Sequence, residues 1–319
     1  MKDALGRGRA TFTRGARALL SPAGLRGTGL EAAWTVAHLA TYPLGVARER
    51  RSGASGRTTL DGLSPVQRGL LLGDVEAAGT PIVLLHGWVD NRSIFTLLRR
   101  QLRRRGFGRV VTMNYSIVTH DVPRAARRLG QLIDRLCEET GYEKVHVVGH
   151  SMGGLVARYY VQRLGGDARV HTLATLGTPH SGTRAAHLML GRAARQCRPG
   201  SAVLSELAAP AQGCTTRLVA VWSDLDQLVV PKRSAQVDHP DLSVRNVFVR
   251  GVGHLSLPID GRVIHEIVTT FAHLEPDGST LAAGVTTLPA AAHIPSARPP
   301  SPAYDRARGR RSTDPVVVG

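Results

Sequence analysis

Gly149-His150-Ser151-Met152-Gly153 places a hydroxyl between two glycines, directly after the apolar run Lys144-Val145-His146-Val147-Val148. A chain that leaves a strand and enters a helix through one sharp turn forces the turn residue into strained geometry. Glycines two before and two after it remove the side chains that would crowd the turn. Leu155-Val156-Ala157-Arg158-Tyr159-Tyr160-Val161 continues in helical spacing, so strand, turn and helix are all supplied. A serine hydroxyl is a poor nucleophile at its own pKa. It needs a base to take its proton and a carboxylate to orient that base.

Candidates for both partners lie downstream. Arg217-Leu218-Val219-Ala220-Val221-Trp222 reads as a strand that runs into the loop Ser223 to Pro231, which carries Asp224 and Asp226. An aspartate in such a loop can equally bond its own main chain, and Asp224, nearer the strand, suits that task. Asn246-Val247-Phe248-Val249-Arg250 reads as a later strand, followed by Gly251-Val252-Gly253-His254. A histidine on a Gly-rich loop after a terminal strand is free to reach across the sheet edge. Of the 13 histidines, the rival is His180 in Gly177-Thr178-Pro179-His180-Ser181-Gly182-Thr183, which precedes the aspartates. Acyl transfer also requires donors aimed at a developing oxyanion. The backbone N–H of Met152, directly after the serine, is one. The N–H of Trp88 is the other, where Pro81-Ile82-Val83-Leu84-Leu85 runs into His86-Gly87-Trp88.

Leu84-Leu85-His86-Gly87-Trp88, Val148-Gly149-His150-Ser151-Met152-Gly153-Gly154, the Gly177-Thr178-Pro179-His180 loop, Asp226 and Gly253-His254 together resemble the α/β-hydrolase superfamily. Within it, the chain is similar to the small bacterial lipases and esterases called class 2 lipases, over about residues 79 to 274. The chain order nucleophile, acid, base then implies Ser151, Asp226 and His254 as the catalytic residues. Asp226 stands in the D-x-x-V-x-P context of the family's acid loop, and His180 falls out of order. Trp88 and Met152 form the implied oxyanion hole. The resemblance implies cleavage of carboxylic esters through an acyl-enzyme intermediate, with acylglycerols or other lipid esters as substrate and no cofactor or metal. Acyl transfer or thioester cleavage by the same machinery is the alternative. A non-enzymatic lipid-binding or membrane-associated protein on a hydrolase scaffold would predict a damaged site, which the motifs do not show.

The elements needed to position these residues can be read along the same region. Strands start near Ile82, Val110, Val145, Val170, Leu218 and Val247, with helical connections between them. The expected fold is therefore α/β, a mostly parallel sheet of six or more strands with helices on both faces and the site at the carboxyl ends of the strands. Ile94, Leu98 and Leu102 share one helix face, opposite a solvated run of arginines from Arg99 to Arg105. Asp121 with Pro123 starts another helix, which turns Leu129, Ile133 and Leu136 inward. Residues 183–216 exceed what one crossover helix needs and form a candidate cap. There His187-Leu188-Met189-Leu190 and Ala202-Val203-Leu204-Ser205-Glu206-Leu207 could cover an acyl pocket or simply pack on the sheet.

At 319 residues, with 42% hydrophobic and 20% charged residues, the chain can bury a full core. A net charge of +17 would ordinarily suggest nucleic acid. The excess is almost all arginine spread through an Ala- and Gly-rich chain, and aromatic residues make up only 4%, too few for base stacking, so no specific nucleic acid is expected. Residues 1–28 read as a basic flexible segment and 29–51 as an apolar helix that docks on the enzyme or lies at a membrane interface. Residues 281–319 read as a disordered Pro-, Ala- and Arg-rich tail. The apolar stretch from Leu30 to Ala47 is interrupted by Glu31, His38 and Pro43, and falls short of a spanning helix. Without an evident cleavable signal, the cytoplasm or the membrane periphery is expected rather than secretion, with peripheral membrane contact as a partner alongside the ester substrate. Cys137 reads as a core residue, Cys197 and Cys214 bracket the cap as two unrelated thiols or a bridge, and none has zinc-site spacing.

Overall fold

The computed structural model describes Gly29 and residues 75–88, 92–115 and 121–272. The expectations for 1–28, for the rest of 29–51 and for 281–319 lie outside the described residues. Helix α1, Val75–Gly79, leads into strand β1, Ile82–Leu85. A 3₁₀ turn then opens helix α2, Thr96–Arg104, and β2, Val110–Met113, follows. Helix α3, Val122–Thr140, begins where the Asp121 carboxylate accepts the Arg124 N–H at 2.9 Å, with a proline inside its first turn. It stops at Gly141, whose φ of 76° terminates the helix in the left-handed region. Then come β3, Val145–His150, α4, Met152–Arg163, and β4, Val170–Leu176. The candidate cap holds two short helices, α5, Arg192–Gln196, and α6, Ala202–Ala208. β5, Arg217–Ser223, β6, Val244–Val249, and α7, Gly261–Phe271, complete the described chain.

The strands form one sheet of six, in the order β2-β1-β3-β4-β5-β6, with every neighbouring pair parallel. Successive side chains point to opposite faces of a strand, and the two halves of the core divide on that alternation. Val83, Leu85, Val147, Leu173 and Ala220 pack under α3 and α4, while Ile82, Leu84, Val148, Ala174 and Val221 pack under α2 and α7. Burial on both faces is why these runs read as continuously apolar rather than alternating. The strand order reverses between β1 and β3, where Leu85 pairs with Gly149. In an open parallel sheet such a reversal parts the flanking connections and leaves a crevice at the carboxyl edge. The loops after β1 and β3 both open onto it. Strand β6 begins at Val244, earlier than the run Asn246 to Arg250 suggests, because its first half is a partly exposed edge with polar residues that mask the pattern.

Candidate active site

The chain turns out of β3 and into α4 at Ser151, the only non-glycine residue with positive φ among those described (φ 54°, ψ −126°). Backbone in that region is strained for a side chain. The Ser151 N–H holds the turn by donating to Leu176 O at 2.8 Å. A Cβ at Gly149 would lie 2.5 Å from the Gly154 Cα, and one at Gly153 would lie 2.4 Å from Leu85 O and 2.6 Å from His86 O. The glycine spacing therefore lets the start of α4 close against both its own strand and the loop after β1. That loop is further fixed by Tyr115, whose hydroxyl donates to His86 O at 2.6 Å and whose ring stacks on the His86 imidazole, centroids 4.6 Å apart.

Across the crevice, β5 and β6 deliver a carboxylate and an imidazole. The Ser223 hydroxyl accepts the N–H groups of Leu225 and Val252, at 3.2 and 3.1 Å, and Asp224 Oδ1 accepts the Gly251 N–H at 2.7 Å. Asp224 thus serves as a staple between the two loops. Asp226, 1% exposed, accepts the N–H groups of Leu228 and Val229 at 2.9 Å each through Oδ1. Its Oδ2 accepts the Nδ1–H of His254 at 2.8 Å. Burial alone would push the Asp226 carboxyl up, but the facing His254, the Val229 N–H and the charge of Lys232 outweigh it and hold the group below the usual carboxylate range. With Nδ1 committed to the carboxylate, Nε2 is the basic nitrogen of the His254 imidazole.

Ser151, Met152, Trp88 and His254 line one cavity of about 40 Å³, with Asp226 directly behind the imidazole. Most other wall residues are apolar: Pro179, Met189, Ala194, Leu228 and Val229 among them. Met189 and Ala194 come from the cap, as do Thr183 and Cys197. The second apolar run proposed for the cap behaves differently. Helix α6 turns away and packs on α4, where the Tyr159 hydroxyl donates to Glu206 Oε2 at 2.5 Å. His180 is likewise outside this cavity; its Nε2 lies 2.9 Å from Thr175 Oγ1. All three cysteines are free thiols, and burial pushes Cys197 up to about 12. Among the described residues, no helix is long and apolar enough to cross a membrane, and no group of three or more His, Cys, Asp or Glu could hold a metal ion.

Sequence reasoning passed over three neighbours of this site. His150, at an unconstrained position of the serine motif, donates from Nε2 to the His254 carbonyl at 3.0 Å. Lys232 is half-buried beside Asp226 and Asp224, and burial lowers its pKa although both carboxylates oppose that. Tyr115 anchors the loop after β1. The sequence carries no local signal for His150 or Tyr115, because their contacts are made across strands, whereas Lys232 shares one loop with both aspartates.

Residues 80–196 match the family model described as alpha/beta hydrolase fold. Among solved structures, the mature form of lipase BlEst2 from Bacillus licheniformis is 16% identical, with a TM-score of 0.52 over 61% of this chain and 92% of that one. The same lipase in its propeptide form gives 17% identity and 0.51 over 65% and 53%. The lin2722 gene product of Listeria innocua gives 17% and 0.49 over 63% and 97%. At such identities the likeness concerns the fold. With its parallel sheet, its sharp turn after β3 and its matching central segment, the chain has an α/β-hydrolase fold.

Proposed function

We propose that the protein is a serine hydrolase that cleaves carboxylic esters through an acyl-enzyme intermediate. The observation that carries this reading is the line of groups from the buried Asp226 carboxylate, through the His254 imidazole, into the cavity that Ser151 shares. His254 Nε2 takes the Ser151 proton as Oγ attacks the ester carbonyl. The N–H groups of Met152 and Trp88 stabilise the negative oxygen of the tetrahedral intermediate. The imidazolium, steadied by Asp226, returns its proton to the departing alcohol. Water then attacks the acyl-enzyme by the same route, releasing the acid and restoring Ser151. The apolar walls suit the hydrocarbon part of an acyl group, so lipid esters are the proposed substrates, and the chemistry calls for no cofactor.

Replacing Ser151 with Ala should lower p-nitrophenyl ester turnover by about 10⁶ if the three residues act as a unit, with the melting temperature preserved. A fluorophosphonate should label Ser151 and nothing else. Turnover retained by the variant, or labelling at another residue, would overturn the assignment, and esters of increasing acyl length would define the substrate.

A further inference from the structure

A second and larger cavity, about 330 Å³, lies on the other side of the loop 177–183, between α4, α6 and the chain that joins β5 to β6. Pro179 of that loop lines the cavity holding Ser151, while His180 lines this one. Its polar wall is unusual. Arg158, only 5% exposed, donates from Nε to Gln162 Oε1 at 2.6 Å and from Nη2 to Leu207 O at 3.0 Å. Those are neutral acceptors, and among the described residues no carboxylate pairs with the guanidinium. Burial and the like charge of Arg163 bring its pKa down to about 10, so it remains a cation at neutral pH.

Beside it, His180 is 4% exposed. The Thr175 hydroxyl donates to Val219 O at 3.4 Å and so accepts the His180 Nε2–H at 2.9 Å. Nδ1 is left as a buried lone pair without a hydrogen-bond partner. A buried charge without a counterion and a buried acceptor without a donor each cost free energy that one ligand could recover.

We propose that this cavity binds a small hydroxycarboxylate, its carboxylate on Arg158 and its hydroxyl donating to His180 Nδ1. The planar fork of a guanidinium matches a carboxylate, and one cation balances one negative charge. Leu204, Val237 and Ala208 supply apolar wall for a short carbon chain. Inorganic phosphate fits less well, because a dianion would meet a single cation, with the carboxylate of Asp238 also on the wall.

Calorimetric titration of the full chain at neutral pH and constant ionic strength, with 3-hydroxybutyrate, butyrate and inorganic phosphate as probes, tests the proposal. The expected order is 3-hydroxybutyrate tightest and butyrate at least threefold weaker, with phosphate weaker still. Arg158→Lys should weaken 3-hydroxybutyrate at least tenfold. Because Arg158 also ties α4 to α6, a second variant, Ser205→Trp, blocks the cavity from an exposed position on α6 and should abolish the heat of binding while leaving the melting temperature unchanged. Binding that survives Ser205→Trp, equal affinity for butyrate and 3-hydroxybutyrate, or phosphate as the tightest probe would each overturn the assignment.

Discussion

At the scale of single residues, the two aspartates of the loop after β5 separate by what their oxygens touch. Asp224 ties the loop to that after β6, with Oδ1 on the Gly251 N–H and Oδ2 at 4.0 Å from Arg250 Nε, and makes no bond to the imidazole. Asp226 divides its oxygens between two backbone donors and the imidazole. An amide in place of the Asp226 carboxylate can no longer both orient Nδ1–H and balance an imidazolium. Asp226→Asn should therefore lower ester turnover by about 10⁴, while Asp224→Asn stays within a few-fold of the parent. Comparable losses from both variants would mean that loop geometry alone matters and that Asp226 has no distinct role. The different settings of the two aspartates were legible in the sequence because that of Asp226, with Val229 and Pro231 close behind it, is local. The contacts of His150 and Tyr115 were not, since each depends on which strands become neighbours.

At the scale of elements, the candidate cap supplies Thr183, Met189, Ala194 and Cys197 to the wall of the cavity that Ser151 lines. A cavity of about 40 Å³ has room for one or two water molecules rather than an acyl chain. Met189 is part of its wall, whereas the neighbouring Leu188 and Leu190 are 90% and 88% exposed. Two leucines projecting from one short stretch form an apolar tip that water does not favour but a lipid surface would. The stretch also carries Arg184 and Arg192, both exposed, which suits an anionic surface. If this segment lifts Met189 aside when its leucines enter lipid, hydrolysis should jump as substrate passes from monomer to aggregate. Leu188→Ser combined with Leu190→Ser should then flatten that jump and leave turnover of monomeric short-chain esters unchanged. Smooth saturation in the parent protein would remove the gating role. The apolar run 187–190 was visible in the sequence. That α6 leaves the cavity was not, because the pull of Tyr159 on Glu206 and of Arg158 on Leu207 O comes from α4.

At the scale of the whole molecule, the fold was readable because burial on both faces makes each central strand a short apolar run bounded by turn residues. Legibility fell at the β6 edge, where partial exposure leaves Val244 to Asn246 looking like loop. The same burial sets how stability should answer to acid. His180 is held well below its usual value by burial and by the charge of Arg158, so the unfolded chain takes up a proton there first. Stability should begin to fall as pH drops through about 6.5. Asp226, Asp167 and Asp260 are all held below the usual carboxylate range. In each, hydrogen bonds, joined by facing charges at Asp226 and Asp260, outweigh a burial effect that acts the other way. Their contribution is complete above the unfolded carboxylate pKa and is lost as pH falls through the lower folded values, so the decline should steepen below about 4. Asp167 ties the entry to β5 onto the start of β4, accepting the N–H groups of Thr215 and Thr216 at 2.9 and 2.7 Å. Asp167→Asn should lower the urea midpoint at pH 7 and soften the steep acid limb while leaving the gentler limb near pH 6 in place. Urea midpoints measured from pH 8 to pH 3 would show the two limbs, and a single flat profile would mean that these buried groups do not govern acid stability.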